Sequence, residues 1–137
     1  MPITTSVDAE RNLTIHTMSG RLTFKEITQT LDTFYRKEHY PQFVLWDGRD
    51  ATIVDLSQDE IRQLAVYSKR FKDLGYAIPN GKRALLAPTS VDYGLARMIG
   101  SLKDILASDV PFEVRTFRDH DEAVAWLTDG KTSGHTG

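Results

Sequence analysis

Residues 43–60 read FVLWDGRDATIVDLSQDE. Phe43 to Trp46 are apolar without a break, which suits a central strand covered on both faces. The run stops at Asp47, so the strand is expected to end there and give way to a polar loop. Ser57 then opens Ser57-Gln-Asp-Glu60, a capping box that predicts a helix start. Strand, loop and helix in this order form one unit of a parallel α/β sheet.

The rest of the chain repeats the grammar. Ile3 to Ala9 and Leu13 to Met18 alternate apolar and polar residues around a turn at 8–12, so they predict a hairpin ended by Ser19-Gly20. Helices are predicted over about Thr23 to Lys37, Ser57 to Leu74, Ser90 to Ala107 and His120 to Thr128. Gly75 suits the position just past the second of these. The third carries a broad apolar stripe of Leu95, Met98, Ile99, Leu102, Ile105 and Leu106. Two further strands are predicted, Arg83 to Ala87 after a Pro79-Asn80-Gly81 turn, and Phe112 to Phe117, which alternates as an edge strand does. The order is β-β-α-β-α-β-α-β-α, which implies right-handed crossovers and a mostly parallel central sheet covered by helices. One domain over 1–128 and a disordered tail over 129–137 are expected.

Each helix start has a cap: Thr23 with Glu26, Ser57 with Glu60, Thr89 with Asp92, and Asp119 with Glu122. Each contributes on the order of 1 kcal/mol.

Bulk composition narrows the function classes. With 137 residues and 40% hydrophobic content the chain has a real core. A net charge of −2 with both signs interspersed leaves no electrostatic footprint for nucleic acid. The absence of cysteine removes disulfides, thiolate metal sites and thiol catalysis, and suits a cytoplasmic setting. MPITTSVDAE has no basic or apolar leader region, so no secretion signal is expected. The longest apolar runs are about five residues, far short of a bilayer span, so no stable membrane insertion is expected. His16, His39, His120 and His135 have no metal-ligand spacing, and no phosphate-binding or nucleophile-elbow motif is present. No metal, cofactor or catalytic constellation is therefore expected.

In an open α/β sheet, ligands sit beyond the carboxyl ends of the strands. That rim nominates Asp47, Arg49, Asp50, Asp55, Thr89, Ser90 and Arg118 for a ligand or partner. His120 lies there too, among Asp119, Asp121 and Glu122. Gly94 and Gly100 each cost roughly 1 kcal/mol against alanine inside a helix. Close approach of a backbone, the chain's own sheet or a second subunit, would compensate. Tyr93, Gly94 and Arg97, beside Val91, are the candidate dimer or partner face.

The chain resembles the STAS domains, the fold of bacterial anti-sigma-factor antagonists, and more closely the SpoIIAA-like proteins of STAS/SEC14 type. The resemblance covers Ile3 to Leu127. It is carried by KRALLAPTSVDYGLARM at 82–98 and FEVRTFRDHDEAVAWL at 112–127. It implies a single-domain α/β fold and a non-enzymatic regulatory or protein-interaction module. The STAS phosphorylation signature is a strand-end aspartate followed by Asp-Ser-Ser-Gly at a helix start. Asp47 and Asp55 match the two aspartates, and Ser57 falls on the serine phosphorylated in that group. Leu56 and Gln58 depart from the pattern, and Asp59 and Glu60 add charge that opposes a phosphate. The SEC14-type side of the resemblance implies the alternative, a small-molecule or lipid carrier. The identity of a protein partner is not implied; a homodimer is.

Overall fold

The computed structural model describes residues 2–36, 38, 40–76 and 80–128, and for 129–136 the backbone alone. The elements are β1 (Ile3–Asp8), β2 (Leu13–Arg21), α1 (Phe24–Phe34), β3 (Phe43–Thr52), α2 (Gln58–Val66), α3 (Lys69–Asp73), β4 (Gly81–Leu86), α4 (Ser90–Leu106), β5 (Phe112–Phe117) and α5 (His120–Thr136). They form a five-stranded sheet in the order β1-β2-β3-β4-β5. Only β1–β2 is antiparallel; β2–β3, β3–β4 and β4–β5 are parallel. The α/β class and the mostly parallel sheet stand as the sequence predicts. No helix of the described residues is long and apolar enough to cross a membrane. The tail expected over 129–137, Lys37 at the predicted end of the first helix, and Pro79 of the predicted turn lie outside the residues whose side chains are described.

The alternation of the strands sorts the core into two layers. Leu13, Phe43, Leu45, Ala84 and Leu86 point to one face, where Ala123 and Leu127 of α5 cover them. Val44 and Trp46 point to the other, toward Leu22, Ile27, Tyr35, Ile61 and Phe71, with Leu95, Ile99 and Leu102 of α4 packed alongside. Covering both faces of β3 removes Val44 and Leu45 from water entirely, worth roughly 1.5–3 kcal/mol for each such side chain.

The strand does not end at Asp47. It continues to Thr52 because β2 also runs on, to Arg21, and pairs with it: Ser19 faces Asp50, Gly20 faces Ala51 and Arg21 faces Thr52. The register shifts between Thr17 and Ser19. Gly48 and Arg49 there oppose Met18 alone, which is the geometry of a β-bulge. Pairing with β4 stops at Asp47 opposite Leu86. A Cβ on residue 48 would lie 2.8 Å from the Leu86 carbonyl oxygen, so the crossing requires glycine.

The predicted second helix is two helices. Around Tyr67 and Ser68 the amides of Tyr67, Arg70 and Phe71 bond three residues back, to Leu64, Tyr67 and Ser68. The local overwinding lets the Tyr67 hydroxyl reach Asp32 of α1 at 2.9 Å while Phe71 enters the aromatic core. The end of α3 is as predicted. Gly75 is left-handed (φ 81°), and the Gly75 and Tyr76 amides bond Lys72 and Phe71 carbonyls, a Schellman closure.

Two readings of α4 are corrected. Gly94 does not pack on the sheet: a Cβ there would meet nothing within 4 Å among the described residues. Gly100 is the one that approaches the sheet: a Cβ there would lie 3.4 Å from the Val114 side chain. Met98, Ile105 and Leu106 do not face the core either; they are exposed. The apolar stripe is broader than the surface available to bury it, because α2 and β5 already occupy the inner face.

Candidate functional site

The C-terminal rim of the sheet is built by carboxylates holding the backbone where β3 leaves the core. Asp47 is buried. Its Oδ1 accepts from the Arg49 amide at 3.2 Å and from Arg49 Nε at 3.0 Å, and its Oδ2 accepts from Arg49 Nη2 at 2.7 Å. Burial alone would raise the Asp47 carboxyl. The hydrogen bonds and charge of Arg49 outweigh it and, with His120 nearby, hold it below the usual carboxylate range. The bulge thus points a half-exposed guanidinium outward on a buried anion. Asp50 and Asp121 add to the negative field around Arg49. His120 is engaged with its neighbour Asp121 at 3.2 Å.

Asp92 is the second anchor. It is 7% exposed. Its Oδ1 accepts from Thr52 Oγ1 and from the Ile53 amide, both at 2.9 Å, and its Oδ2 accepts from Thr89 Oγ1 at 3.0 Å. One carboxylate therefore ties the end of β3 to the start of α4. The sequence shows Asp92 only as the acid of a helix cap; its bond to a segment 39 residues away is a tertiary feature.

Ser57 is exposed and caps α2. Its Oγ accepts from the Glu60 amide at 3.1 Å, and its own amide donates to Glu60 Oε1 at 2.9 Å. The acids around it are not free. Asp55 takes a two-pronged bond from Arg21 at 2.7 and 2.6 Å, and Asp59 accepts from Arg62 and Gln63. Partners Arg21 and Arg62 lower the opposition to a phosphate that the sequence alone suggests.

The remaining nominated residues fall into a fourth group. Arg118 donates to Ser90 Oγ at 3.2 Å and lies over the Tyr93 ring at 4.8 Å. Tyr93 is thereby drawn toward β5, while Gly94 and Arg97 stay outward. The rim is thus four paired groups, around Asp47, Asp92, Asp55 and Ser90, and the described contacts do not bring them to one point.

Sequence reasoning missed the polar groups inside the core. Arg83 is 4% exposed. It donates to the carbonyls of Pro41, Gln42 and Lys82 and lies over Tyr35, Tyr40 and Phe112. Lys103 donates to the carbonyls of Val110 and Phe112, and burial pulls its pKa down. His16 is fully buried, bonded to Thr5 Oγ1 at 2.8 Å and Tyr35 Oη at 3.4 Å, with Trp46 at 4.2 Å. Alternation along β2 reads His16 as outward, whereas the burial of Arg83 and Lys103 rests on carbonyls of other segments, which no local pattern contains.

Beside them lie two cavities, of about 120 and 90 Å³. Trp46, Leu85 and Ile99 line both. Ser68 lines the larger one; its Oγ is buried with no hydrogen-bond partner among the described residues. Among those residues no group of His, Asp and Glu side chains is placed to hold a metal.

Fold and rim together define an α/β protein with a five-stranded sheet and a paired, charged edge where β3 leaves the core. No protein-family model matches the chain, and no curated protein matches it. It is similar to a crystal structure, at 2.25 Å, of an uncharacterized protein of the DUF3478 family with a SpoIIAA-like fold from Shewanella loihica PV-4. The two share 15% identity over 91% of each chain, with a TM-score of 0.46.

The buried histidine predicts a pH dependence. Desolvation, and then the charge of Arg83, lowers the His16 pKa from 6.5 to about 3. The unfolded chain therefore binds a proton that the folded one refuses. Stability from this group is complete above about pH 6.5 and falls as pH drops toward 3, by about 1.4 kcal/mol per pH unit. Urea unfolding at pH 6, 5 and 4 should show this extra slope in the natural chain and its loss in His16→Gln. Parallel slopes in the two proteins would show that His16 is protonated in the fold.

Proposed function

We propose that the protein is a non-catalytic, protein-binding regulatory module of STAS type, and that it binds its partner on the rim formed by the end of β3 and the start of α2. The observation that carries this reading is the Asp47–Arg49 pair. A buried carboxylate fixes an arginine in an outward geometry on a bulge, at 2.7 Å. Arginine held this way loses little side-chain entropy on binding, and such residues are favoured as interface anchors. Arg21–Asp55 and Arg62–Asp59 extend the same alternating charge along the edge, which favours selectivity over raw affinity. Ser57 sits in this surface, so a phosphate there would add a charge of about −2 next to Arg21 and Arg62.

Capture of a discrete partner from the native host should succeed with the wild-type chain and fail with Arg49→Glu, while circular dichroism and melting remain close to wild type. Ser57→Asp keeps a good helix cap and should lower capture without destabilising the fold. Undiminished capture by Arg49→Glu removes the rim from the interface.

A second reading has its own observation. Two adjoining apolar cavities with one buried, unpartnered hydroxyl, Ser68 Oγ, suit a small apolar ligand bearing one polar atom. Such cavities bind small aromatics when dry. Benzene titrated into the purified protein should shift the methyl resonances of Leu64, Leu85 and Ile99 saturably, and Ala65→Leu, which fills the larger cavity, should abolish the effect. Shifts that do not saturate, or that persist in Ala65→Leu, count against a ligand space.

A further inference from the structure

The outer face of α4 is a heptad pattern pointing away from its own core. Val91, Met98 and Ile105 are spaced by seven and are 61%, 43% and 73% exposed. Between them, Gly94 and Ser101 are also spaced by seven and exposed. This is one seam of large residues alternating with small ones along about 21 Å of helix. The inner face of the same helix, Asp92, Ala96, Gly100 and Lys103, is buried. α4 therefore presents two packed-type faces, and the fold covers one.

We propose that a second copy of this chain covers the outer face, with the two α4 helices antiparallel about a two-fold axis. The pattern is complementary to itself only in that direction. Antiparallel pairing sets the two large residues inside the seam against small ones, Met98 against Ser101 of the other copy and Ile105 against Gly94, and leaves Val91 at the seam's end. Gly94, with nothing within 4 Å of its missing Cβ, then has a packing role that the single chain does not provide. Parallel pairing would set Gly94 on Gly94 and Ser101 on Ser101, leaving gaps, and Met98 on Met98.

The charges point the same way. Arg97 and Asp104 flank the seam on one side, seven residues apart, and are exposed. Neither makes an ion pair or hydrogen bond among the described residues, whereas the rim arginines Arg21, Arg49 and Arg118 are all engaged. In an antiparallel pair, the same flank of each helix meets. Arg97 of one copy then lies beside Asp104 of the other, twice over by symmetry. In a parallel pair Arg97 would face the apolar flank of Leu102. This surface is separate from the rim at β3, so dimerisation and partner binding there are independent.

Light scattering and sedimentation over a concentration series should give twice the 15.5 kDa chain mass. Arg97→Asp and Asp104→Arg are surface changes, and each alone places like charges together twice. Each should weaken self-association roughly tenfold or more. Mixed together, the two variants should associate with each other, because one copy then carries two acids and the other two bases. A wild-type mass of 15.5 kDa at every concentration would overturn the proposal. So would a dimer indifferent to both reversals, or a mixture that fails to recover association.

Discussion

The burial of β3 on both faces is the constraint from which the rest of the molecule follows. Phe43 and Leu45 need α5 on one side, and Val44 and Trp46 need α1 to α4 on the other. A strand buried twice must sit inside the sheet, with β2 and β4 paired to its two edges. The same burial makes its exit costly. Once β4 stops pairing at Asp47, the backbone of β3 needs new partners. The prolonged β2, the Asp47 carboxylate and the Asp92 carboxylate supply them. The rim is the local solution to that exit, and its candidate function follows from the charges the solution leaves outside.

The interior is not uniformly apolar. Arg83 enters the core because three carbonyls and three aromatic rings surround it, which satisfies both its donors and its charge. Its field acts with desolvation to keep His16 neutral. The two cavities lie along that layer, on the face of the sheet away from α5.

Much of the fold was legible because each local signal agreed with the global one. Thr23, Ser57, Thr89 and Asp119 all cap the helices they announce. Gly75 closes α3 in the left-handed conformation that its position predicts. The failures have physical causes. The polarity of Asp47 to Asp50 reads as a loop, while a bulge lets polar residues stay in a strand. The break at Ser68 accompanies a contact between Tyr67 and Asp32, which no local pattern contains. The stripe on α4 reads as one core face because periodicity reports that a residue is apolar, and cannot report which neighbour covers it. At the rim, Asp47, Arg49 and Ser57 were visible as residue types, but their pairing depends on the bulge and on Arg21, which lies 34 residues from Asp55.

Asp47 holds Arg49 outward in the free protein through three hydrogen bonds. Nitrogen-15 relaxation of the Arg49 Nε–H in the free protein measures this directly. A side chain fixed by this pair should show an order parameter near that of rigid backbone, about 0.85. A value below about 0.6, typical of a mobile group, would mean that the pair does not hold the side chain and that the rim is not preorganised.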